Sequence, residues 1–139
     1  MPPTSAVYSG ECKMSGKSLL LFFFAGGLGT LSRFGLSNLI NRASGFQYPL
    51  GTLAVNGLGC FIFGFFWVLS EHLGLDSRIR VIIMSGFLGA FTTFSSMIFE
   101  SDALTVYSLF SAFLNVAVQL VAGFSLFHLG AKLSRFLLG

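Results

Sequence analysis

The residues able to do chemistry in this chain crowd one apolar stretch, GFLGAFTTFSSMIFE, from Gly86 to Glu100. Gly86 and Gly89 lower helix propensity there. Thr92, Thr93, Ser95 and Ser96 offer the backbone hydrogen bonds that compete with a helix. An interruption of the helix near the bilayer midplane is expected. Carbonyls freed inside lipid must find a partner, such as a cation or another chain. Beyond the interruption Phe94, Met97 and Glu100 recur every three residues, and Phe87, Phe91, Phe94 and Ile98 form an adjoining stripe. A phenyl ring is positive at its edge, so an edge-on Phe attracts a small anion without a full charge that would trap it. For an isolated Phe in such a helix, ordinary packing is the commoner use.

A second group lies in GTLAVNGLGCFIFGF, where Thr52 and Asn56 stand one turn apart and Asn56 carries two N–H donors. A polar side chain at membrane depth faces protein or a water path, so interhelical bonding and an ion site are both open to it. Tyr107, Ser111, Asn115 and Gln119 recur at spacing four and draw one polar line along a helix face. That line is either a hydroxyl and amide track or the glue of a dimer interface. Arg33 follows GGLGTLS; such an arginine snorkels or pairs, or else draws anions into a vestibule. Glu100 lies at best at a mouth. No acidic residue falls inside an expected span, so proton-coupled transport through a buried carboxylate has no candidate. His72 and His128 are too far apart to suggest a metal site, and Cys12 and Cys60 suggest neither a metal site nor a disulfide framework.

Composition says what kind of element must hold these residues. The chain has 139 residues, one domain at most. Apolar residues make up 54% and charged residues 9%, with a mean hydropathy of +0.83. A soluble domain carries about 25% charged residues; this chain cannot cover its surface with water-compatible groups, and the lipid bilayer is its expected solvent. Eighteen Phe supply apolar area, and seventeen Gly let helix backbones approach where no hydrophobic effect drives association. The net charge of +3 is scattered, which argues against nucleic acid as a partner.

Charges divide the chain into transmembrane spans at 18–40, 49–70, 80–99 and 104–128, each close to the ~20 residues a helix needs to cross. The first reaches that length only by continuing past Arg33 through Phe34, Leu36, Leu39 and Ile40. Residues 1–17 read as a flexible tail and 18–139 as a four-helix transmembrane channel domain. The connections, Asn41 to Tyr48, Glu71 to Ile79 and Glu100 to Ala103, are short, so neighbouring helices run antiparallel. Lys13, Lys17, Arg78, Arg80, Lys132 and Arg135 fall on one side, against Arg42 and, if it reaches the interface, Arg33 on the other. This bias places both termini in the cytoplasm.

The order GGLGTLSRF, GTLAVNGLGCFIFGF, GFLGAFTTFSSMIFE resembles the CrcB/Fluc fluoride channel family, over roughly residues 22–100. The TTFS core with a glycine three residues ahead is the most specific part, and GTLxVN is nearly as specific. The resemblance implies an all-α membrane protein of four transmembrane helices, the third broken near the midplane. It implies an antiparallel dual-topology dimer with two fluoride pores and a central structural Na+ at the dimer interface. By position, Asn56 is similar to the family's pore amide, and Phe94 to the first phenylalanine of its Phe box. Gly89 and Thr92 correspond to the positions whose backbone carbonyls bind sodium. Thr93, Ser95 and Ser96 correspond to the polar residues after the break, Ser111 resembles the fourth-helix polar track, and Glu100, with Arg33, marks a vestibule. The second Phe of the box is Met97 here, which lacks a positive ring edge.

The function this resemblance implies is that of a fluoride-selective ion channel in the cell (plasma or inner) membrane, not an enzyme, exporting F− passively and lowering cytoplasmic fluoride. Because the charge bias prefers one orientation, the second, oppositely oriented subunit is either identical or paralogous. One alternative is a non-conducting partner subunit of a heterodimeric fluoride channel. A small multidrug antiporter is the more distant one, since it needs an embedded acid and Ser18 to Ser70 holds neither Asp nor Glu.

Overall fold

The computed structural model describes residues 14–44 and 49–139. Most of the tail expected at 1–17, with Cys12 and Lys13, and residues 45–48 of the first connection lie outside the described residues. The helices are α1 (Gly16–Ser44), α2 (Leu50–His72), α3 (Ser77–Val81), α4 (Gly89–Phe91), α5 (Phe94–Leu104) and α6 (Leu109–Leu138). A π-helical stretch, Ile82–Leu88, joins α3 to α4, and the Gly89 N–H continues its wider turn by donating to the Met84 carbonyl.

Among the described residues, four stretches are long and apolar enough to cross a membrane: Gly16–Ser44, Leu50–His72, Ser77–Leu104 and Leu109–Leu138. The chain is an all-helical, multi-pass membrane protein. Arg33 does not end the first span, which continues eleven residues beyond it. The fourth span differs from expectation, beginning at Leu109 rather than 104 and running to Leu138 rather than 128. Its start is set by a turn in which the Thr105 and Tyr107 N–H groups donate to Asp102 and Leu104 carbonyls at 2.9 and 3.0 Å. Ser108 then caps α6 by accepting from the Ser111 N–H at 3.0 Å. At the far end the helix continues through Lys132 and Arg135, both exposed; long basic side chains near a membrane end can lay their stems on apolar surface and extend their heads to water. The connection expected at Glu100 to Ala103 is helical as well: Ser101 is buried and donates to the Met97 carbonyl at 2.7 Å.

Glycine placement decides which helices touch. α2 and α6 form the most intimate pair. Gly64 lies against the Phe127 carbonyl and Gly130 against the Phe61 carbonyl, so a Cβ at either would strike backbone. Gly29 of α1 meets the Phe87 carbonyl in the same way. The first half of the third span packs chiefly on α1, whereas α5 packs on α6. The partner changes at Thr92 and Thr93. Phe23, Phe24, Phe99, Phe113 and Phe136 point outward, the exposure expected where lipid rather than water is the solvent.

Candidate functional site

Thr92 (φ −85°, ψ 158°) and Thr93 (φ −150°, ψ 117°) are extended. In a continuous helix the Gly89 carbonyl would accept from the Thr93 N–H; here that N–H donates to Asn56 Oδ1 at 2.8 Å. The Thr92 carbonyl would accept from the Ser96 N–H, which instead donates to Thr93 Oγ1 at 3.1 Å. The Ala90 carbonyl, whose helical donor would be Phe94, accepts from Arg33 Nε at 3.3 Å. Gly89 and Thr92 are thus the two carbonyls that lose their helical donors to side chains. Thr93 also caps α5, with its hydroxyl donating to Ser96 Oγ at 3.0 Å and lying 3.3 Å from Ser95 Oγ. The positive end of the α5 dipole sits at this cap.

Two hollows share Thr93. The first, of about 180 Å³, is lined by Arg33, Ser37, Asn38, Thr52, Thr93, Ser96 and Glu100. Glu100 Oε1 accepts from Thr52 Oγ1 at 2.6 Å, and Oε2 is buried with no hydrogen-bond partner among the described residues. Sequence reasoning singles out Arg33, Thr52, Thr93, Ser96 and Glu100. It misses Ser37 and Asn38, although Ser37 stands one helical turn after Arg33, the signal that could have found it.

The second hollow is an open groove of about 470 Å³ between α2, α5 and α6, lined by Asn56, Thr92, Thr93, Phe94, Met97 and Gln119 with apolar neighbours. Phe94 is 68% exposed and Met97 only 3%, so the two differ sharply although they are one turn apart. The stripe Phe87, Phe91, Phe94, Ile98 is not continuous. Phe87 and Phe91 stack at 6.0 Å and 12°, whereas Phe94 lies past the extended pair, where helical periodicity no longer carries across.

Asn56 donates both its N–H groups, to the Thr93 carbonyl at 3.0 Å and to Gln119 Oε1 at 2.8 Å. Gln119 donates to Asn115 Oδ1 at 3.3 Å, Asn115 to Ser101 Oγ at 2.9 Å, and Ser101 to the Met97 carbonyl. Of the polar line read from the sequence, Asn115 and Gln119 are buried in this chain of bonds. Ser111 sits at the first turn of α6, 2.8 Å from Ser108 Oγ, about 12 Å along the helix from Gln119.

These features define a class: a small four-span membrane protein with polar and aromatic groups converging where the third span turns extended. Comparison with known proteins narrows it. A family profile described as CrcB-like protein, Camphor Resistance (CrcB), matches residues 20–131, and the chain belongs to that family. A relative from Nitratidesulfovibrio vulgaris named fluoride-specific ion channel FluC is 43% identical over 121 residues, covering 86% of this chain and 98% of that protein. One of the same name from Solidesulfovibrio magneticus is 42% identical over 113 residues, covering 80% and 90% of the two chains. Another, from Nitrosococcus oceani, is 52% identical over 79 residues, covering 56% and 63%.

Proposed function

We propose that this protein is a fluoride-selective channel, not an enzyme, that exports F− passively across the cell membrane and so lowers cytoplasmic fluoride. The observation that carries the reading is the convergence of Asn56, Thr93, Phe94 and Met97 on one groove beside the extended pair. It is supported by relatives named for fluoride channels that match most of the chain. Fluoride enters cells as HF at acid pH, ionises inside, and leaves as the anion. An Asn56 N–H, the Phe94 ring edge and the Thr93, Ser95 and Ser96 hydroxyls stand in for its hydration, with Met97 as an apolar wall. Neutral donors bind the ion firmly enough to admit it and weakly enough to release it. Ser111 lies further along the same helix as Gln119 and serves the path's outer part. Arg33 and Glu100 line the vestibule.

The working unit in this reading is an antiparallel dimer whose second subunit, identical or paralogous, lies in the opposite orientation. The third span is interrupted at the midplane by Thr92 and Thr93. The Gly89 and Thr92 carbonyls, having lost their helical donors to Asn56 and Thr93 side chains, are hard oxygen ligands of the kind sodium accepts. Na+ at the dimer interface would hold the two interrupted spans together as a structural ion. The Arg33 guanidinium satisfies the Ala90 carbonyl between them and so leaves Gly89 and Thr92 to the cation.

The test is growth. In a bacterium lacking its fluoride exporter, this protein restores growth in millimolar fluoride, alone or with a paralogue carried beside it. Failure to restore growth in both arms, with the protein present in the membrane, overturns the reading.

A further inference from the structure

The two donations of Asn56 differ in kind. The one to the Thr93 carbonyl belongs to a reciprocal pair, because the Thr93 N–H returns a bond to Asn56 Oδ1 at 2.8 Å. That pair holds the extended backbone, and giving it up breaks two bonds at once. The other N–H points to Gln119 Oε1 at 2.8 Å, inside the groove that also holds Phe94. Gln119 is tied on its other side by Nε2 to Asn115 Oδ1 at 3.3 Å, the longest link in the chain. Beyond it the links tighten, to 2.9 Å at Asn115 and 2.7 Å at Ser101. If one side chain moves, Gln119 is the one with the least to lose.

We infer that Gln119 is the resident stand-in for the ion. Its Oε1 accepts the Asn56 N–H between permeation events, and fluoride takes that N–H by displacing it. The inference rests on the fluoride reading above. An amide oxygen and a fluoride ion are both compact acceptors, so Asn56 trades one hydrogen bond for another while the displaced Gln119 Oε1 turns to water in the open groove. Asn56 is never left with an orphaned donor, whose desolvation would make an empty site costly and an occupied one sticky. Gln119 thereby sets affinity and release rate without providing the donor itself.

The test compares purified wild-type protein with Gln119→Met, which keeps the volume and removes the acceptor. Fluoride affinity is measured by calorimetric titration with sodium fluoride, and flux in liposomes. The variant is expected to bind fluoride about fivefold tighter, the worth of one neutral hydrogen bond, and to pass it more slowly by a similar factor. Equal or weaker affinity in a variant that elutes like wild type overturns the inference. A merely structural Gln119 would lower affinity and flux together. A second measurement needs no variant: side-chain amide resonances of Asn56 and Gln119 are followed as fluoride is titrated into wild-type protein. Both are expected to move with one midpoint, and movement of Asn56 without Gln119 overturns the inference. Absence of wild-type flux would instead remove the fluoride reading itself.

Discussion

Asn56→Asp is the perturbation that separates an anion path from a packing polar group. The new side chain keeps the shape of the old one and the Oδ1 acceptor for the Thr93 N–H at 2.8 Å. It loses the donations to the Thr93 carbonyl at 3.0 Å and to Gln119 Oε1 at 2.8 Å. Gln119 can turn its amide and donate to the carboxylate. The Thr93 carbonyl has no such remedy, and one acceptor left unsatisfied costs about 1–3 kcal/mol. The variant is therefore expected to fold with a reduced melting temperature. The effect on an anion is larger. A negative charge about 4 Å from fluoride raises its energy by ~4 kcal/mol at an effective dielectric near 20, about a thousandfold in rate. Efflux from liposomes, read with a fluoride electrode at pH 8, measures it. Asn56→Leu run beside it loses these bonds and the Oδ1 acceptor as well, adds no charge, and is expected to fall less far. Flux through Asn56→Asp within tenfold of wild type, in protein of normal elution, would refute the placement of Asn56 on the path.

Other predictions rest on packing and on the released carbonyls. Gly64→Ala and Gly130→Ala each push a Cβ into a facing carbonyl and are expected to destabilise by about 1–3 kcal/mol, whereas Gly27→Ala, with nothing within 4 Å, is expected to be neutral or slightly stabilising; thermal unfolding in detergent ranks them. Arg33→Met removes the donor to the Ala90 carbonyl and is expected to cost about 1.5–3 kcal/mol, the worth of a charged hydrogen bond, with reduced flux; Arg33→Lys rescues only if it reaches the same carbonyl. Replacing sodium with a large organic cation throughout purification is expected to lower dimer stability by size-exclusion and to abolish flux, both restored when sodium returns.

How much of the fold and site is legible in the sequence differs by level. The four spans follow from charge-free apolar length, a property each segment carries by itself, and they lie close to where charge spacing puts them. The end of the third and the start of the fourth do not, because Glu100 and Asp102 read as loop residues, whereas Ser101 between them is buried and bonded within α5. A charge at a helix end is compatible with continuing the helix when the side chain can reach a partner, as Glu100 reaches Thr52. The polar line on α6 is visible as spacing, but its register is not. Tyr107 drops out of the line because it lies in the turn before α6; which of Ser111, Asn115 and Gln119 faces α2 depends on how α6 is rotated, and Gly64 and Gly130 set that rotation through close backbone contacts. The link between Asn56 and Gln119 joins residues 63 positions apart, and nothing local to either announces it. The Phe stripe fails for a different reason, since it runs helical periodicity across Thr92 and Thr93, where the backbone is extended.

The central claim is that this chain conducts fluoride, and reconstituted efflux tests it most directly. Liposomes loaded with potassium fluoride and carrying the purified protein, alone or with an oppositely oriented family member, are made permeable to potassium with valinomycin while a fluoride electrode records the outside solution. The account predicts rapid fluoride efflux well above protein-free vesicles, with no comparable release from vesicles loaded with chloride. Fluoride release no faster than from protein-free vesicles, in both arms, or equal release of chloride, would contradict it.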